Sequence, residues 1–107
     1  MPTRFSSSQA REESELPNVL RIGNYYVYFW MNETGEPVHV HVNKGRPEVN
    51  STKLWLTKSG GCIVANNNSR IPKQKLNKII EVVESNYFYI CQKWEEIFGK
   101  NSLKFFC

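Results

Sequence analysis

From residue 19 the chain alternates short apolar runs with polar punctuation, and beyond residue 72 the period of its apolar positions changes. Val19-Leu20-Arg21-Ile22 and Tyr25-Tyr26-Val27-Tyr28-Phe29-Trp30-Met31 flank a Gly23-Asn24 pair. Two β-rich runs separated by such a dipeptide predict a hairpin closed by a tight primed turn. A polar connection, Asn32 to Pro37, leads to Val38-His39-Val40-His41-Val42, which alternates strictly and stops at Asn43-Lys44-Gly45. Lys53-Leu54-Trp55-Leu56-Thr57 and Cys62-Ile63-Val64-Ala65, either side of Gly60-Gly61, predict two further strands.

From Pro72 to Phe98 the apolar residues Leu76, Ile79, Ile80, Val83, Tyr87, Ile90, Trp94, Ile97 and Phe98 recur at steps of three and four. That is the stripe of an amphipathic helix, with Pro72 suited to its first position and Gly99 to the position past its end. An unbroken helix of that span would be about 40 Å long. No internal repeat is present. The pattern therefore predicts an α+β fold: a small, mainly antiparallel sheet of four to five strands with one long C-terminal helix packed on one face. It divides the chain into a flexible arm (1–18), a single domain (19–99) and a hydrophobic tail (100–107).

One helix covers one face of a sheet. If Val38, Val40 and Val42 point to the helix, His39, His41 and Asn43 point away, since successive side chains on a strand alternate. Either Tyr26, Tyr28 and Trp30, or Tyr25, Val27, Phe29 and Met31, must join them. Both sets are apolar, and large exposed apolar patches are uncommon on soluble monomers. The second face is therefore expected to be buried by self-association, as a homodimer, or by a protein partner.

Length and composition sharpen this picture. A chain of 107 residues supports one core, and three Trp, five Tyr and six Phe are a large aromatic payload for it. No apolar run is long enough to span a membrane, and the Met1-Pro2-Thr3-Arg4 start lacks the features of a signal peptide, so a cytoplasmic location and no membrane contact are expected. Cys62, Cys91 and Cys107 are odd in number and widely spaced, which predicts reduced, structural thiols. The net charge of +4 is concentrated: residues 44–78 hold eight Lys and Arg against Glu48 alone. Such a basic segment suits phosphate backbones or an acidic protein, and equally a solvated surface.

Val19-Leu20-Arg21-Ile22-Gly23 with the aromatic strand after it, Glu36-Pro37-Val38-His39-Val40-His41-Val42, Lys53-Leu54-Trp55-Leu56, and the helix from Lys75-Leu76-Asn77-Lys78 to Trp94-Glu95-Glu96-Ile97-Phe98-Gly99 together resemble the bacterial family catalogued as domain of unknown function 4160. The resemblance covers roughly residues 19 to 99, with the proline before His-x-His-Val its most specific piece. It implies a small protein of a bacterial or mobile-element operon, encoded beside another small protein in a toxin–antitoxin-like arrangement; it implies no activity. The long arm, the asparagines at 66–68 and the tail Leu103-Lys104-Phe105-Phe106-Cys107 depart from the family pattern.

His39 and His41 carry the candidate chemistry. Two apart on one strand, they project from one face with Cα atoms about 7 Å apart. A ribonuclease-like reading makes them acid and base, with Arg46 or Lys44 stabilising phosphorane charge. A zinc reading takes His39, His41 and Cys62, short of the four ligands a structural site needs. The bland reading hydrogen-bonds both imidazoles within the sheet or an interface. With no Asp in the chain and only Glu33, Glu36 and Glu48 near the strands, carboxylate-dependent hydrolysis lacks its parts. The favoured expectation is a non-enzymatic binding module without cofactor. Its partner surface comprises His39, His41, Tyr26, Tyr28, Trp30, Trp55, Lys44, Arg46 and Lys53, with nucleic acid as a further candidate partner of the basic 44–78 segment.

Overall fold

The computed structural model describes residues 18–31 and 35–107. The arm expected at 1–18 lies, apart from Asn18, outside the described residues, as does Glu33. Five strands, β1 (Asn18–Ile22), β2 (Tyr25–Tyr28), β3 (His39–Lys44), β4 (Thr52–Leu56) and β5 (Cys62–Asn67), form one antiparallel sheet in the order β1-β2-β3-β4-β5. Each strand lies beside its neighbour in sequence because every connection is a short turn or loop that reverses the chain. The predicted hairpin forms as read: Gly23, at φ 58°, takes the left-handed conformation that a primed turn needs and that glycine adopts without a Cβ clash.

Instead of one long helix, two follow: α1 (Lys73–Ser85) and α2 (Tyr87–Phe98). The break has a local cause. Ser85 donates its hydroxyl to the Glu81 carbonyl, and Asn86 donates its side-chain amide to that of Val82 while its backbone N–H is shared between Val82 and Val83. Such back-bonding competes with the helical ladder and bends it. Asn86 sits at φ −112°, ψ 23°, outside helical geometry. The apolar stripe conceals the break, because Ile79, Val83, Tyr87, Ile90 and Trp94 remain in phase across it and all are buried.

The core lies between these helices and Val27, Phe29, Val40, Val42, Leu54 and Leu56 of the sheet. This resolves the alternative at 25–31: Val27 and Phe29 face the helices, whereas Tyr28 and Trp30 group with His41 on the other side. Each fully buried Val, Leu or Phe contributes about 1.5–3 kcal/mol.

Cys62 and Cys91 are buried beside this core and Cys107 is exposed. Burial, with a smaller contribution from nearby Glu84, pushes the Cys62 thiol up to about 12 from its usual 9.0; burial also raises Cys91. The folded state thus disfavours the thiolates, so the Cys62 contribution to stability is complete below pH 9 and is lost as pH rises from there toward 12. At about pH 8 a thiol-specific disulfide reagent should label Cys107 rapidly and the other two only after denaturation. Three fast thiols would contradict this packing.

Candidate functional site

The histidines do not face an open surface. His39 is 0% exposed and His41 7%, and all of β3 up to Asn43 is buried on both sides. The chain itself roofs the second face. Between β3 and β4, residues 45–51 fold back over it: the Tyr28 hydroxyl donates to the Glu48 carbonyl and accepts from the Glu48 N–H, Ser51 Oγ lies 3.0 Å from His41 Nδ1, and Asn43 Nδ2 donates to the Arg46 carbonyl. At the other end the tail is pinned by Val38 N–H to the Lys104 carbonyl and Lys58 N–H to the Cys107 carbonyl. That places Phe106 on Trp55, rings 4.9 Å apart and nearly parallel. The expectation that this face needs a partner to bury it is therefore corrected, because loop and tail were not counted as cover.

Strand register turns these side chains into one aromatic row. Tyr28 pairs with His41 and His39 with Trp55 across neighbouring strands, and ring centroids follow at 5.7 Å (Tyr28–His41), 5.0 Å (His41–His39) and 5.4 Å (His39–Trp55). Trp30 packs edge-on against both Tyr28 and His41. The His39 ring also meets a helix residue: Trp94 of α2 lies 5.4 Å from it. His39 Nδ1 is 2.8 Å from the Pro37 carbonyl. A carbonyl only accepts, so Nδ1 carries the proton. Lys53 lies over the Trp55 ring at 4.3 Å and pairs with Glu36 at 3.1 Å, so its charge is already engaged within the chain.

Of the predicted site residues, then, His39, His41, Tyr28, Trp30, Trp55 and Lys53 converge, while Tyr26, Lys44 and Arg46 gather elsewhere, beside the Gly23-Asn24 turn. Lys44 is five residues from His39 along β3, about 17 Å at strand rise, and Arg46 lines a hollow with Arg21 and Tyr26. The zinc set His39, His41 and Cys62 is not assembled. Cys62 pairs with Leu56 and belongs to the helix-side core, across the sheet from the histidines. Among the described residues no group of three His, Cys, Asp or Glu is placed to hold a metal ion.

The family described as Domain of unknown function (DUF4160) matches residues 24–95. The chain belongs to this family. The matched segment contains both histidines, Trp55 and Trp94, so the row belongs to the part shared with DUF4160, whereas β1 and the Phe106 roof lie outside it. No curated protein and no solved structure matches the chain. Among the described residues no helix is long and apolar enough to cross a membrane.

Sequence reading missed Ser51 and Trp94 as neighbours of the histidines, Phe106 as a neighbour of Trp55, and Arg21, Asn24, Lys75 and Lys78 as lining the hollows at Lys44. None carries a local signal, since each arrives from a distant segment. A charge count by segment found Lys75 and Lys78 but could not pair them with the turn at 23–24.

Proposed function

We propose that this DUF4160 protein is a non-enzymatic binding module of a bacterial or mobile-element operon, of toxin–antitoxin or defence type, acting through protein–protein contacts with a second copy as its first partner. The observation that carries this reading is the outer margin of β5. Among the described residues this strand pairs only with β4. Ile63 and Val64 on it are 40% and 41% exposed, and no charged residue occurs from Ser59 to Ser69. Natural edge strands are commonly guarded by charge or proline, and an unguarded one templates pairing. Glu84 approaches the start of this strand, its carboxylate 3.6 Å from where a Gly61 Cβ would sit. Phe88, four residues on and past the bend at Asn86, is among the most exposed apolar residues. A two-fold axis beside β5 would join two sheets and cover these side chains together.

The buried histidines support the same reading, because an acid–base pair must reach its substrate and His39 is enclosed by Trp55, Trp94 and His41. Light scattering on the purified protein at about 10 μM should give the mass of a dimer, and Val64→Lys and Phe88→Lys should each give a folded monomer. A monomeric parent protein at all accessible concentrations, or dimers unmoved by both substitutions, would refute it.

A further inference from the structure

We infer that the basic cleft at the β1–β2 turn binds the phosphodiester backbone of single-stranded nucleic acid. This site is separate from the β5 margin and does not depend on it.

The cleft, of about 180 Å³, opens between the Gly23-Asn24 turn, the end of β3 and the first half of α1, with Lys44, Lys75 and Lys78 on its walls. A wider depression, lined by Arg21, Tyr26 and Arg46, meets it around the same end of the sheet from the opposite face. The two share Asn24 and Lys44. Five cations thus meet from three segments, and no carboxylate lines either hollow. Among the described residues the ion pairs are Lys53–Glu36 and Lys93–Glu96, so none of the five is paired with a described carboxylate. Charges of one sign lining a concave surface focus a field that an anion of matching extent would relieve.

The cleft is also built, beyond merely being charged. The Gly45 N–H donates to the Asn24 carbonyl at 2.9 Å, tying the two turns together, and Asn43 clamps the Arg46 carbonyl at 2.6 Å. Arg21 Nε donates to the Gly23 carbonyl, and its guanidinium lies 5.0 Å above the Tyr26 ring. That fixes the guanidinium over the ring, leaving its other N–H groups for phosphate. Lys75 and Lys78, three apart on one helical face, provide two further phosphate contacts on the wall of the first hollow.

Two joined hollows sharing Lys44 fit a ligand with repeated negative charge rather than one free phosphate. The half-exposed Tyr26 ring with the Arg21 guanidinium over it favours a strand with exposed bases over an acidic peptide, because bases stack on aromatic and guanidinium groups.

The test is fluorescence anisotropy of the full chain with labelled oligo-uridine and oligo-thymidine of about 12 nucleotides, titrated across salt from about 50 mM upward. Binding is expected, with log affinity falling against log salt at a slope of about −2 to −3, since each phosphate contact on a single strand contributes about −0.7. K75A/K78A, on an exposed helical face, should weaken binding at least about ten-fold and flatten the slope by about 1.4. K58A/K100A removes the same charge from the opposite end of the sheet and should stay within about two-fold. Circular dichroism checks that both variants fold. Absence of binding to both strands at the lowest salt, equal losses in the two double variants, or tighter binding of a poly-glutamate peptide than of either oligonucleotide would each overturn the assignment.

Discussion

Replacing Trp94 with alanine should lower folding stability by about 3–5 kcal/mol, a large part of the roughly 5–15 kcal/mol available to a domain of this size. Trp94 is the largest fully buried side chain and packs on three groups from different parts of the chain: Phe29 at 5.1 Å, His39 at 5.4 Å and Phe98 at 4.3 Å between ring centroids. Its indole N–H also points to the Ser102 carbonyl at 3.4 Å, beside the root of the tail. Truncation would open a cavity touching the helix-side core and the aromatic row at once, and closely packed surroundings refill such a space only in part. Urea denaturation should show the loss as a lower midpoint, with Gln92→Ala, at an exposed position of the same helix, within about 0.5 kcal/mol of the parent. Equal midpoints for Trp94→Ala and the parent would mean that α2 does not anchor the second face.

Ending the chain after Ser102 should cost about 2–4 kcal/mol and uncover the histidine row without dismantling the sheet. The removed segment includes Leu103 and Phe105, both packed against the core, two backbone hydrogen bonds to Val38 and Lys58, and the Phe106 ring over Trp55. Far-UV circular dichroism should stay close to that of the parent, while tryptophan emission shifts to longer wavelength and a dye that reports exposed apolar surface binds. Phe106→Ala alone should cost only about 0.5–1.5 kcal/mol, the scale of one stacked pair, since that side chain is 58% exposed. A truncated chain with parent-like emission and midpoint would show that the loop at 45–51, not the tail, keeps the second face dry.

Both expectations depend on side chains whose partners arrive from far along the chain, and this is where sequence reading and structure part. The strands were legible because each is short, punctuated by Gly, Asn or Pro, and of period two; the hairpin at Gly23-Asn24 follows from turn chemistry alone. The helical stripe was legible for the same local reason, but the bend at Asn86 was not, because two side-chain hydrogen bonds cause it without disturbing the apolar phase. Alternation in Val38 to Val42 correctly put the valines on one face and the histidines on the other. It could not say that the polar face would be roofed, because cover supplied by Glu48, Ser51 and Phe106 leaves no period in β3.

Local physics, then, determined the elements, the antiparallel class of the sheet, which residues of β3 share a face, and where positive charge accumulates. Only the tertiary structure decided that His39 and His41 are interior members of an aromatic row, that Cys62 stands across the sheet from them, and that Lys44 lines one hollow with Lys75 and an adjoining one with Arg21. The reason is physical: propensity and periodicity act over a few residues, whereas burial and charge convergence depend on which distant segments meet, and that is settled by packing the whole chain at once.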